Sequence, residues 1–265
     1  MKSHWVVLLV LFSAAPAVSQ LVNKISYGTP ERELTSVDSA LHVIKAATGE
    51  TFKYHGTMAN GKYIAVVDAE LNGGVPCDKT IASGIASAQQ SGVVQASADS
   101  TLVTLPQTTL LDWDKDDGNP RLYAVCAAQG DGTAADNSWE DSSIRLRVSP
   151  VTSLASHGIT HHTSGHIAQK SGLKLQVGGT LPAGKYVSLV DQTLNSNFPC
   201  ADGTEAAATF GTVYSGPLQT TANEVTINTA DMTTYDSSGG FSPTITNKNF
   251  AVCFTTGDGT TAANW

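Results

Sequence analysis

Gly61-Lys62-Tyr63-Ile64-Ala65-Val66-Val67-Asp68 is an apolar, β-branched run behind a glycine turn, and it returns 123 residues later as Gly184-Lys185-Tyr186-Val187-Ser188-Leu189-Val190-Asp191. The same spacing carries Leu71-Asn72 to Leu194-Asn195, Pro76-Cys77 to Pro199-Cys200 and, upstream, Gly56-Thr57 to Gly179-Thr180. Further on, Ala124-Val125-Cys126 returns as Ala251-Val252-Cys253 and Gly130-Asp131-Gly132-Thr133 as Gly257-Asp258-Gly259-Thr260, now 127 residues apart. Asn137-Ser138-Trp139 is matched by Asn264-Trp265. The second copy therefore holds a four-residue insertion between its cysteines. A period above about 100 residues marks a duplicated domain, not a solenoid.

The periodicity inside each copy is that of strands. Leu102-Val103-Thr104-Leu105 and Val225-Thr226-Ile227 are short apolar runs, and Ile144-Arg145-Leu146-Arg147-Val148 alternates with both arginines on one face. Glycine-rich and Asn/Asp-rich punctuation separates the runs. A helical stripe is scarce, although Ile81 to Gln90 has the pattern of a short helix. Cysteines number four, and each copy holds one early and one late, so the repeat selects Cys77–Cys126 and Cys200–Cys253. Each bridge closes a loop of roughly 50 residues, for which chain-entropy estimates give about 4 kcal/mol. Apolar runs beside both cysteines suggest a staple between two sheets.

Short strands, regular turns and one bridge per copy predict an all-β fold of two tandem sandwiches. In this architecture the chain resembles the immunoglobulin-like superfamily, with cysteines about 50 residues apart and an aromatic residue shortly before the second. Tyr123 lies three residues before Cys126 rather than two, and no tryptophan follows the first cysteine at the expected distance. The resemblance covers both copies and is one of architecture.

Lys2, the apolar run Trp5 to Phe12 and the small residues Ser13 to Ser19 read as a secretory signal over residues 1–19, cleaved after Ser19. The apolar run is too short to cross a bilayer. The expected location is extracellular, a compartment that favours disulfides. A net charge of −8 argues against nucleic acid or anionic lipid as partner. Asn-x-Ser/Thr sites are absent.

Residues 31–150 then form module one and 151–265 module two. Module one continues past Trp139 into the strand Ile144 to Pro150, and module two reaches Trp265 with no counterpart. A sandwich without that strand has an unpaired edge. At the 123-residue spacing, Arg147-Val148-Ser149 falls on Lys24-Ile25-Ser26 of the leading segment 20–30. The expectation is an assembly strand, Leu21, Val22, Lys24, Ile25 and Ser26, that docks at an acceptor edge beside Asn264 and Trp265 of the next molecule. Two alternatives are an ordinary first strand of module one, and a longer chain that supplies the missing strand after Trp265.

Candidate chemistry is thin. His157, His161, His162 and His166 fall within ten residues and have the ligand types of a zinc or copper site. In a strand His161 and His162 face opposite sides, and module one has no matching cluster. Asp112, Asp114 and Asp116 alternate as in a calcium loop, but positions six and twelve hold Asp117 and Tyr123 where an EF-hand needs glycine and glutamate. The recurring Gly-Asp-Gly-Thr reads as a turn, and the recurring tryptophans as core or as a sugar-stacking platform. Nucleophile elbows, metalloprotease helices and phosphate loops are missing, and all four cysteines are paired. No cofactor and no catalytic residue is expected. The function read from the sequence is a structural subunit of an extracellular filament or coat that assembles with itself head to tail. The alternative is a secreted monomeric adhesin module that binds carbohydrate or a surface.

Overall fold

The computed structural model describes residues 20–28, 31–36, 42–115, 120–156, 159–161, 167, 172–201, 203–211, 213–227, 249–262 and 265. The period-two runs become strands. The first copy holds β1 (Lys24–Tyr27), β2 (Arg32–Thr35), β3 (Val43–Lys45), β4 (Glu50–His55), β5 (Tyr63–Asp68), β6 (Val94–Gln95), β7 (Leu102–Leu105), β8 (Tyr123–Ala128) and β9 (Glu140–Ser149). The second holds β10 (Val151–Ser156), β11 (Ile159–His161), β12 (Leu173–Gly179), β13 (Tyr186–Asp191), β14 (Leu218–Gln219), β15 (Glu224–Ile227) and β16 (Phe250–Thr255). The sheets are ordered β2-β1-β4-β7 and β3-β9-β8-β5-β6 in the first copy, and β11-β10-β12-β15 and β14-β13-β16 in the second. The all-β expectation holds at this level. Among the described residues helix is confined to single turns, and the stretch from Ile81 to Gln90 is not one helix. A turn at Lys79–Ala82 is capped by the Asp78 carboxylate, which accepts from the Thr80 N–H. At Gly84 the chain folds back so closely that a Cβ would lie 1.9 Å from the Gln90 amide oxygen.

Alternation fills one core between the first copy's two sheets. Ile25, Leu34, Phe52, Tyr54, Val103 and Leu105 enter from one side, and Ile44, Ile64, Val66, Tyr123, Val125, Ile144, Leu146 and Val148 from the other. All are essentially buried. Leu173, Leu175, Val177, Val187, Leu189, Leu218, Val225 and Ile227 form the corresponding cluster in the second copy.

Both disulfides selected by the repeat are present, Cys77–Cys126 and Cys200–Cys253. Their position corrects the expectation of an inter-sheet staple. On β8, Tyr123, Val125 and Ala127 face the core, so strand alternation turns Ala124 and Cys126 outward. There they meet Ala65, Val67, Cys77 and Ala82 in a second, smaller cluster. The bridge pins the loop after β5 onto the outer face of a single sheet.

The register of the leading strand is corrected as well. β1 lies between β2 and β4, with Ile25 opposite Tyr54. In the second copy, Leu154 lies opposite Val177, and Val177 is the repeat partner of Tyr54. The equivalents of Lys24-Ile25-Ser26 are thus Ser153-Leu154-Ala155, not Arg147-Val148-Ser149. The three-residue match at the earlier spacing compared strands from opposite sheets. Val22, Ile25 and Tyr27 are buried in module one.

Replacing Ile25 with alanine should therefore cost about 3 kcal/mol of stability, the middle of the range for a buried isoleucine. Urea unfolding of Ile25→Ala beside the parent chain checks this, and a loss below about 1 kcal/mol would remove β1 from the core.

Candidate functional site

The two copies differ most at one edge. In module one, β8 is buried at all six positions because β5 pairs with one side of it and β9 with the other. In module two, β16 pairs with β13, and no second partner for it exists among the described residues. Phe250, Val252 and Phe254 occupy the positions of Tyr123, Val125 and Ala127, yet remain partly exposed where the module-one residues are fully covered. The covering groups in module one are Ile144, Leu146 and Val148 of β9. β9 meets β8 with Leu146 opposite Tyr123, and it bulges at Ser142 and Ser143. Ser143 sits at φ 61°, and the Ser142 hydroxyl donates to the Val125 carbonyl at 2.7 Å. Trp265 lies close to this edge in sequence, with its indole N–H on the Gly259 carbonyl at 3.3 Å and its side chain packed against the cluster of Val190, Ala206 and Cys253. Asn264 lies outside the described residues.

The remaining recurrent polar residues build the frame. Asp131 caps its own turn by accepting from the Thr133 N–H at 3.0 Å, and Asp258 does the same for Thr260 and Thr261. The glycine after each aspartate sits at positive φ, 71° at Gly132 and 76° at Gly259. A Cβ at either would fall about 2.5 Å from the ring of Tyr63 or Tyr186, so the turn packs directly on that ring. Asn72 and Asn195 hold left-handed turns, which asparagine tolerates better than most side chains. Sequence comparison at a spacing of 123 missed a further pair. Ser91 accepts from the Val66 N–H and donates to the Gly92 carbonyl, while Ser215 accepts from Leu189 and donates to Gly216. Gln95 and Gln219 each reach back to a glycine carbonyl, Gly61 and Gly184. Both pairs recur 124 residues apart, a one-residue slip that hides them from a fixed-offset search.

Of the candidate metal ligands, the structure describes Asp112 and Asp114, whose backbone carbonyls are engaged. The Asp112 carbonyl takes the Tyr123 hydroxyl at 2.6 Å, and the Asp114 carbonyl takes Arg121 Nε at 2.9 Å. Asp116, His157 and the His161 side chain lie outside the described residues. Among those described, no group of three or more His, Cys, Asp or Glu has the geometry to hold a metal ion.

Three other features were not visible in the sequence. Ser26 and His55 meet at 2.8 Å between Oγ and Nε2 on β1 and β4. Their module-two positions are Ala155 and Gly178, so the contact is not part of the shared frame. A cleft of about 330 Å³ is lined by Val75, Cys77, Asp78, Trp139, Glu140 and Asp141, among others. Its carboxylates are engaged: Asp78 by Thr80, Glu140 by the Leu21 N–H, and Asp141 by Arg145 at 2.6 Å. Finally, the buried Asp68 carboxylate is held by Arg121, the Gln89 amide and the Glu70 N–H. Burial works against the charge on Arg121, but Asp68 outweighs it and pushes the guanidinium pKa upward.

No family model, no curated protein and no solved structure matches the chain.

Arg121→Met would leave Asp68 buried without its cation. It should destabilise module one by about 3–5 kcal/mol in urea unfolding, whereas a neutral outcome would show the pair to be solvated. Hydrogen bonds from the Thr261 and Thr260 N–H groups and the Thr261 hydroxyl lower the pKa of Asp258 from 3.8 to about 2. The folded value lies below the unfolded one, so the carboxylate stabilises its turn at neutral pH, and that contribution is lost as pH falls from about 4 toward about 2. An NMR titration of the side chain should show this midpoint, and Thr261→Val should move it upward. A midpoint near the ordinary value would deny the hydrogen bonds.

Proposed function

We propose that the chain is a non-catalytic structural subunit of an extracellular filament or coat, and that its second module accepts a strand from a neighbouring molecule in a head-to-tail contact. The observation that carries this reading is β16, an aromatic-bearing core strand whose outer edge has no partner among the described residues. A strand added there would satisfy backbone groups and bury Phe250, Val252 and Phe254, at about 25 cal/mol per Å² of apolar area. Because donor and acceptor are different surfaces, the contact propagates unless it closes into a ring. The frame-building roles of the recurrent aspartates, serines and glutamines favour a scaffold over a reaction centre. Two disulfides suit life outside the cell. An immunoglobulin-like topology is supported by the neighbours β1-β4-β7 on one sheet and β5-β8-β9 on the other, which follow the A-B-E and C-F-G pattern. The disulfides depart from that pattern, since they lie on one sheet's outer face.

Leu21 to Ser26 is not the donor in this reading. Its counterpart place in module two is held by β10, and its release would strip Val22, Ile25 and Tyr27 from the core of module one. A second reading, a glycan-binding adhesin, rests on Trp139 in the cleft beside Asp78 and Glu140, where an indole ring suits stacking on a sugar.

Residues 20–265 should give concentration-dependent oligomers in sedimentation velocity and filaments in negative-stain electron microscopy. Val252→Asp, which puts a charge at the open edge, should give monomers with an unchanged circular dichroism spectrum. Monomers of the parent chain at every concentration would reject the subunit reading and leave the adhesin, for which glycan-array binding lost in Trp139→Ala is the test.

A further inference from the structure

β9 runs straight into β10. Ser149 is still paired with Lys45 in the first copy, and Val151 is already paired with Gly179 in the second, so only Pro150 belongs to neither ladder. Its ring fixes φ and holds Ser149 in extended backbone. Pro150 is buried, and its carbonyl accepts the Thr180 N–H at 2.8 Å. The Ser149 hydroxyl accepts from the Val151 N–H at 3.1 Å and donates to the Val151 carbonyl at 2.8 Å. The backbone at the junction is thereby pinned on both sides of the proline.

A second tie comes from far along the chain. Phe198 lies in the loop after β13 and packs against the core cluster of module one. Among the described residues it is not one of the side chains packed on either cluster of its own module. Its repeat partner is Val75. The two loops share one backbone conformation, with φ −114° and ψ 63° at Val75 and φ −114° and ψ 62° at Phe198. In each, the N–H of that residue donates to the carbonyl of a left-handed asparagine, Asn72 or Asn195. Val75 is 58% exposed. The loop therefore has no need of an aromatic side chain at this position, and the frame common to both copies does not account for one. The contact with module one does.

We infer that module two docks on module one of the same chain through Phe198, and that the two modules move as one stiff body. Neighbouring domains move relative to each other unless an interface holds them. A single crossing of the chain at Pro150 leaves bending and rotation open, and a second contact away from that crossing opposes both. A fixed angle suits a coat subunit, whose two ends must keep their spacing as copies are added, and it does not depend on the edge of β16.

The test uses residues 20–265, dilute enough to be monomeric in sedimentation. Hydrogen exchange read by mass spectrometry should show the β5 and β8 amides of module one exchanging about tenfold faster or more in Phe198→Ala, with β13 of module two unchanged. Phe198→Leu should keep most of the protection, and Val75→Ala should change neither module. Nitroxide labels at Thr104→Cys and Gln176→Cys, one exposed strand position in each module, should give a narrow distance distribution in pulsed electron paramagnetic resonance. The same labels in Phe198→Ala should give a broad one. Unchanged exchange of module one in Phe198→Ala would overturn the inference, as would a broad distribution in the parent chain. Faster exchange of β13 as well would assign Phe198 to the core of its own module and equally overturn it. A narrow distribution that persists in Phe198→Ala would leave the stiffness to Pro150 alone and reject the Phe198 contact.

Discussion

A strand buried on both faces needs a partner on each edge. The sequence Tyr-Ala-Val-Cys-Ala-Ala of β8 is apolar at every position, so its odd residues enter the sandwich while Ala124 and Cys126 enter the disulfide cluster. Water reaches neither side, and backbone groups that lose water must find protein partners. β5 and β9 supply them. The disulfide belongs to the same constraint. Cys126 is an even residue, so Cys77 must come to it over the outer face, and the loop after β5 is drawn across the sheet as a lid on Ala65, Val67 and Ala124. One alternation thus sets the core, the position of the bridge and the need for β9.

The same constraint bears on β16, which has one partner, β13, among the described residues. Its pattern, Phe-Ala-Val-Cys-Phe-Thr, keeps the two-faced apolar character, and Phe254 stands where module one has the much smaller Ala127. A larger side chain there increases the area that a second neighbour would bury. Edge strands that are meant to stay single are usually short, charged or bulged. β16 is six residues long and carries no charge. Its composition is that of an interior strand.

Much of the frame was legible from residue order alone. A repeat anchored by cysteines fixed the pairing, because each copy holds two, and Asp-Gly between strands marked the turn that the Tyr63 and Tyr186 rings support. What stayed hidden has a common cause. Cysteine spacing says which residues meet but not on which face, and only the parity of Cys126 against Tyr123 decides that. The match of Lys24-Ile25-Ser26 to Arg147-Val148-Ser149 failed for a related reason: any two strands of period two align over three residues, and strand identity is set by partners far away in sequence, Tyr54 for Ile25 and Tyr123 for Leu146. The Ser26–His55 contact joins β1 to β4, and nothing in either local pattern announces it.

Duplication also gives an internal reference that a single module lacks. Ser91 and Ser215, and Asp131 and Asp258, are kept in both copies and bond backbone within the same copy. Those residues hold the fold and are retained for it. Where the copies diverge, the frame no longer explains the residue. Such divergence covers Ser26 and His55 against Ala155 and Gly178, and the paired edge of β8 against the edge of β16, unpaired among the described residues. Of these two, only the edge involves backbone hydrogen bonding and core burial together, and these are what hold one strand to the next. A side-chain contact can be lost from one copy at a cost of about 1 kcal/mol, but an interior strand left without its neighbour forfeits several backbone bonds and a row of apolar contacts at once.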